Sequence, residues 1–186
     1  MGMYTGLRCK VKIKEEYIAA LKELENIDYE WSEHSIKEFR DFGELPRASF
    51  IPCGALAYMP GCWEKLKENA VDKYDTEDVD EFKRGLNEES RIWTFQCSLK
   101  DYDNEIEYFI KNIIPIISDE VYHLEKLYEE WETSILYKMD ESKNIVEVED
   151  GYIYVDEKYG CSLSRPVLVS EYDKMSRGEI MELFLN

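Results

Sequence analysis

The chain is poor in the residues that usually announce chemistry. Only two histidines, His34 and His123, occur in 186 residues. A general base or metal ligand of the commonest type therefore has few places to sit. No G-x-S-x-G, P-loop, Rossmann or H-E-x-x-H pattern is present. The five cysteines, Cys9, Cys53, Cys62, Cys97 and Cys161, are odd in number and include no C-x-x-C pair. They read as reduced thiols rather than as a disulfide framework. A zinc site needs close ligand pairs, whereas the nearest cysteines here are Cys53 and Cys62, with both histidines distant. Neither a metal nor another cofactor is expected. No apolar run approaches the roughly 18 residues that span a bilayer, and the first residues lack the shape of a signal peptide. The expectation is a cytoplasmic protein with no membrane partner.

Positive charge is scarce as well. Lys and Arg number 23 against 41 Asp and Glu, a net charge of −18. A field of that sign repels a polyanion, which excludes direct nucleic-acid binding by bulk charge. What the chain does have is apolar and aromatic material: 44% hydrophobic residues, with 14 Tyr and 4 Trp. That is enough for a packed core, and it argues against disorder.

Two strand-then-helix units share one design. Leu7, Cys9, Val11 and Ile13 alternate with Arg8, Lys10, Lys12 and Lys14, which predicts a half-buried strand with its basic residues outward. Glu15 and Glu16 then open a helix in which Tyr17, Leu21 and Leu24 recur at helical spacing, with Asn26 and Asp28 as its end. In the second unit Trp93, Phe95, Cys97 and Leu99 alternate with polar residues. Cys9 and Cys97 lie on apolar rows, where cysteine acts as a small hydrophobe. Asp101 or Asp103 is expected to cap a helix carrying Ile106, Phe109, Ile110, Ile113 and Ile117 on one face, kinked or ended by Pro115. Val121 to Val155 favours strands in a consecutive antiparallel meander, with Asp140 to Asn144 as a hairpin loop and Asp150-Gly151 as a turn. Ser176 and Glu179 form a capping box ahead of a terminal helix.

The middle stretch is less regular. Ser35 and Glu38 suggest a second capping box, with His34 in a helix, and Pro46 to Gly61 reads as a buried connector or short strand. Thr76 is expected to start a helix that turns Val79, Phe82 and Leu86 inward. These elements predict one α+β domain over 1–186, a mainly antiparallel sheet with helices packed on one face. The arrangement is loosely ferredoxin-like, with an irregular insertion over 45–90 between the two units.

Charge is segregated along the chain. Residues 7–14 carry four basic side chains and no acid, whereas 72–81 hold six acids against one lysine. Residues 101–132 hold ten acids and two lysines, and 140–157 seven acids and one lysine. Glu129, Glu130 and Glu132 flank Trp131, with Tyr128 beside them. Aromatic side chains give contact area at low entropic cost, and an acidic rim steers a basic partner towards them. The expected partner-binding residues are therefore Asp72, Asp75, Glu77, Asp78, Asp80 and Glu81 together with Tyr128, Glu129, Glu130, Trp131 and Glu132. The plainer alternative is a solvated face kept soluble by like charge. The row Arg8, Lys10, Lys12 and Lys14 is expected to pair with carboxylates across the sheet rather than bind an anion. Acid pairs such as Asp101 with Asp103, or Glu105 with Glu107, could serve a glycosidase or hold magnesium, but in a chain with 41 acids such pairs arise by chance. The expectation is a protein that is not an enzyme.

Met3 to Arg8, Ser49 to Pro52, Gly54 to Pro60, Trp93 to Glu107, and His123 to Glu125 with Tyr128 to Trp131 resemble small uncharacterised proteins encoded in phages and prophages of low-GC Gram-positive bacteria. The similar stretches are scattered, and none is a catalytic motif. The resemblance implies an accessory protein that antagonises host defence by binding and inhibiting a basic, nucleic-acid-handling host protein such as a nuclease or defence effector, in part by mimicking the charge of nucleic acid. Two alternatives differ in class. One is an immunity-type inhibitor of a nuclease toxin. The other is a small-molecule-binding or sequestering protein with a pocket lined by Tyr58, Trp63 and Trp93. Homo-oligomerisation through an exposed sheet edge is also open.

Overall fold

Alternating apolar and basic side chains make β1 (Thr5–Ile13) the central element. The computed structural model describes residues 3–25, 30–60, 63, 82–156 and 161–184. It places β1 inside a six-stranded sheet with β2 (Gly85–Asn87), β3 (Ile92–Leu99), β4 (Ser118–Tyr128), β5 (Ile135–Met139) and β6 (Ile145–Glu147). The strand order is β2-β3-β1-β4-β5-β6, and every adjacent pair is antiparallel. β3 and β4 both run against β1, so they run parallel to each other. The helical segment joining them must cross over β1, which makes a split β-α-β unit. The protein is an α+β fold built on a mainly antiparallel sheet, as the periodicity predicts.

The helical face is apolar throughout. Leu7, Cys9, Val11 and Ile13 of β1 and Trp93, Phe95, Cys97 and Leu99 of β3 are all buried in one cluster. α1 (Ile18–Leu24) and α2 (Lys37–Gly43) cover it together with the segment that follows β3. That segment begins as α3 (Glu105–Tyr108), passes through a π-helical stretch Phe109–Ile113 and ends as α4 (Ile114–Ile117). Pro115 lacks an amide proton, and the helix accommodates it by widening to the π form just before it instead of stopping. Neither Asp101 nor Asp103 is the cap, which is Asn104 with no side-chain capping bond, but Asp101 accepts the Ile106 backbone N–H at 3.0 Å from further upstream. Lys14 donates to the carbonyls of Pro115 and Ile116 at the far end of the same helix, where positive charge is favoured.

The opposite face departs from the expected pattern. Arg8 is not outward but 3% exposed. Its guanidinium lies 4.2 Å from the ring centre of Trp63 and 4.8 Å from that of Phe82, and Nε donates to Gln96 Oε1 at 3.1 Å. Across the sheet Arg8 is in register with Glu125, which is fully buried. Glu125 accepts a 2.5 Å hydrogen bond from the Tyr154 hydroxyl and lies 2.8 Å from His123 Nε2. Burial alone would raise the Glu125 carboxyl, but the His123 contact and charge, the Arg8 charge and the Tyr154 hydroxyl hold it below the usual range. A Cβ at Gly6 would collide with Met59 Sδ and the Trp63 ring, so only glycine lets this cover approach the strand. Further along β1, Lys12 pairs with Glu120 at 3.0 Å, the cross-strand pairing expected of the basic row.

The meander ends early. Residues 140–144 do form the hairpin between β5 and β6, but β7 (Tyr152–Asp156) leaves the sheet and pairs with β8 (Cys161–Leu168) as a separate two-stranded ribbon. The turn at Gly151 is pressed against Ser134, where any Cβ would collide with a carbonyl oxygen. Ser134 N donates to Tyr152 O, and Tyr154 N donates to Glu132 O. This holds the ribbon over the polar face, with Tyr154 packed on Trp63 and Leu127. Two short helices follow, α5 (Val169–Tyr172) and α6 (Arg177–Glu182), the second opened by the predicted Ser176/Glu179 capping box.

Three further expectations need correction. α2 begins at Lys37 with Ile36 as its cap and no side-chain capping bond, because Ser35 lies one residue too early for a capping box. His34 is not helical; it follows a 3₁₀ turn (Trp31–Glu33), and its Nδ1 accepts the Ile36 N–H. The helix expected from Thr76, like the ending at Asn26 and Asp28, falls outside the described residues, and Leu86 belongs to strand β2.

Candidate functional site

Antiparallel pairing brings the start of β1 beside the ends of β3 and β4. Thr5 is in register with both Leu99 and Tyr128, so Tyr4, Lys100 and Glu129 meet at one end of the sheet. Glu129 N donates to Tyr4 O at 3.0 Å, and the chain turns back so that Trp131 N donates to Tyr128 O at 2.9 Å. The Tyr128 and Trp131 rings meet edge to face at 5.6 Å, and Trp131 stays 44% exposed. Tyr4 packs on Tyr58 at 5.0 Å, with Tyr58 in the left-handed region (φ 58°) and 71% exposed. Tyr102, 56% exposed, lies under the Arg47 guanidinium at 4.6 Å. Two aromatic pairs and Tyr102 therefore lie at the end where three strands finish.

Carboxylates rim them. Arg47 Nη1 lies 3.8 Å from Asp103 and 3.8 Å from the fully buried Glu105. Burial, and then the neighbouring Glu105 carboxyl, push Asp101 up to about 6. Glu107 is held instead by Lys126 at 2.7 Å and the Tyr137 hydroxyl at 3.2 Å, and these outweigh burial to keep its carboxyl low. At the tip, burial followed by Glu130, Glu129 and Tyr102 raises the Tyr128 hydroxyl above its usual range. Aromatic faces with an acidic edge suit contact with a basic macromolecular surface.

The structure thus brings Tyr128, Glu129, Glu130 and Trp131 together within one turn. Glu132 belongs to the ribbon contact through its carbonyl and is only partly exposed. Asp72, Asp75, Glu77, Asp78, Asp80 and Glu81 lie outside the described residues. Sequence reasoning missed Tyr4 and Tyr102 and assigned Tyr58 to a pocket instead. Tyr4 precedes one predicted strand and Tyr102 follows its antiparallel neighbour, so pairing those two strands on paper would have placed both at this end.

The pocket expected from Tyr58, Trp63 and Trp93 is not assembled. Trp93 lies on the helical face with its indole N–H on Glu25, Trp63 lies on the polar face against Tyr154, and Tyr58 is at the surface. A cavity of about 340 Å³ does open between α1 and the following connector, lined by Leu24, Trp31, Ile51 and Cys53. Burial keeps the Cys53 thiol raised, and it donates to Leu24 O. Both histidines are engaged, His34 with Ile36 N and Glu23, and His123 with Glu125. Among the described residues no group of three or more His, Cys, Asp or Glu side chains could hold a metal ion, and no helix is long and apolar enough to cross a membrane. Comparison with known protein families, with curated proteins and with solved structures finds no match.

Proposed function

We propose that the chain is a non-catalytic interaction protein that binds and inhibits a basic, nucleic-acid-handling protein of a bacterial host, docking through the aromatic end of its sheet. One observation carries this reading. In a chain of net charge −18, one end of the sheet carries two aromatic pairs, Tyr4 with Tyr58 and Tyr128 with Trp131, and the exposed Tyr102, with Asp103, Glu129 and Glu130 adjacent to them in the chain. Inhibition is competitive: the carboxylates occupy the phosphate-binding surface of the partner while the aromatic side chains supply buried contact area. The resemblance to phage-encoded proteins supports a role against host defence.

The test is affinity capture from a Gram-positive lysate with the native chain and with a Glu129→Lys, Glu130→Lys, Trp131→Ala variant, each at low and high salt. The captured protein is then assayed for nucleic-acid binding with and without the chain. A basic protein that is released by salt, lost by the variant and displaced from nucleic acid by the native chain supports the reading; a toxin nuclease in that position makes the chain an immunity-type inhibitor. Equal capture by both chains, or no effect on nucleic-acid binding, overturns it.

A further inference from the structure

The folded chain leaves one buried carboxylate beside Tyr102 short of a donor. Glu105 is fully buried and its Oε2 accepts the Asp103 backbone N–H at 3.2 Å, but its buried Oε1 has no hydrogen-bond partner. A buried carboxylate oxygen ordinarily has one. The guanidinium beside it holds back: Arg47 Nη1 is 3.8 Å from Glu105 Oε1 and 3.8 Å from Asp103 Oδ2, beyond hydrogen-bonding distance of either, while Arg47 lies over the Tyr102 ring at 4.6 Å. The other neighbour is an acid. The Asp101 carboxyl is within hydrogen-bonding reach of Glu105, and two carboxyls bond to each other only through a proton. Asp101 Oδ1 already accepts the Ile106 N–H at 3.0 Å. With that oxygen and Glu105 Oε2 each taken by a backbone N–H, Asp101 Oδ2 and Glu105 Oε1 are the two left to hold it.

We infer that Asp101 and Glu105 share one proton, and that its departure draws the Arg47 guanidinium off Tyr102 and onto Glu105, so that the aromatic end changes shape with pH. The charges around the pair support this. Lys126 of β4 acts to lower Asp101 but is bonded to Glu107 at 2.7 Å, and the Tyr137 hydroxyl of β5 donates to the same Glu107 at 3.2 Å. Asp103 adds negative charge on the Arg47 side. Among the described residues Arg47 is thus the cation placed to answer a second charge on the pair. Burial has the largest influence on Asp101; the Ile106 N–H opposes it, Glu105 adds to it, and the result is a value of about 6. Below that pH the pair carries one negative charge, and Arg47 is divided between Asp103, Glu105 and the ring. Above it the pair carries two, and the stronger attraction at a site partly shielded from water closes the gap to Glu105 Oε1. Asp101 is only half-buried, so the proton can exchange with solvent.

The shared proton needs no partner protein; only its consequence for docking rests on the reading above, because Tyr102 belongs to the docking end. In the full isotopically labelled chain, the Asp101 and Glu105 carboxyl carbons and the Tyr102 ring are followed by NMR across a pH range centred on about 6. The two carboxyls are expected to titrate together with a midpoint of about 6, and the Tyr102 resonances to move with the same midpoint. Glu105→Gln should lower the Asp101 midpoint by about one unit. Asp101→Asn and Arg47→Gln should each leave the Tyr102 ring unmoved, while Arg47→Gln keeps the carboxyl titration, which separates the proton from the arm it controls. If Glu105→Gln does not fold, these two variants decide the matter. Carboxyls that titrate separately at the ordinary value of about 4, or a Tyr102 movement that survives Arg47→Gln, overturn the inference. Capture of the partner should be stronger above this pH than below it in the native chain and equal in Asp101→Asn. If the resonances respond and capture does not, the shared proton stands and docking does not use Tyr102; if the resonances fail and capture is intact, the docking reading stands alone.

Discussion

The two faces of the central sheet solve the same burial problem with different materials. On the helical face, Leu7, Cys9, Val11, Trp93, Phe95 and Cys97 meet α1, α2 and the 105–117 segment in an apolar cluster, with the Trp93 indole N–H taken up by Glu25. On the other face Arg8, Gln96, Glu125 and His123 occupy the corresponding positions of the same strands, closed over by Trp63, Phe82 and Tyr154. Apolar contacts tolerate imprecision, since each contributes a little. A buried ion network does not, because removing one member strands another without its partner. The lesson is that alternation along a strand reports which residues differ in polarity, not which face is wet.

The largest effect should come from the apolar face. Phe109 touches Trp31, Phe42, Trp93 and Phe95, and Phe109→Ala is expected to cost about 4 kcal/mol in urea unfolding through lost transfer energy and a residual cavity. A cost under about 1 kcal/mol would mean that the helix repacks freely and that this face is not the principal core. Next comes Arg8→Met, expected to cost about 3 kcal/mol because Glu125, in contact with His123, stays buried without the Arg8 charge that helps to hold it ionised. Adding Glu125→Gln should recover part of that loss. If the double variant is less stable than the single one, the two side chains do not act as a pair and the contrast between the faces collapses.

The smallest effect is a pair of opposed pH dependences. Glu125 is held below its ordinary value of 4.5 in the folded chain, so its contribution is complete above that value and is lost as the pH falls through the folded one. Asp101 is raised from 3.8 to about 6. The folded state therefore holds its proton more tightly, and stability declines as pH rises across that window. Urea unfolding across this acid range should show the first slope vanish in Glu125→Gln and the second in Asp101→Asn. Unchanged slopes in both variants would assign the pH response to other carboxylates.

Much of the helical face was legible because its signals are local. β1, β3, the apolar stripe from Ile106 to Ile117, the 140–144 hairpin and the Ser176 capping box each follow from residues within one turn or one strand. The polar face was not legible, since Arg8 reads as a surface residue until Trp63, Phe82 and Tyr154 arrive from distant parts of the chain. β7 likewise reads as one more strand of the meander, and what diverts it is the close fit of Gly151 against Ser134. At the candidate site, Tyr128 to Trp131 stood out as a contiguous run. Tyr4, Tyr58 and Tyr102 join it only through strand register and the connector.

Trp63 and Phe82 stack on one guanidinium, so a single side chain of β1 fixes two positions that are distant in sequence. Losing Arg8 would therefore release two separate parts of the chain from the strand at once, where losing an apolar neighbour would loosen one.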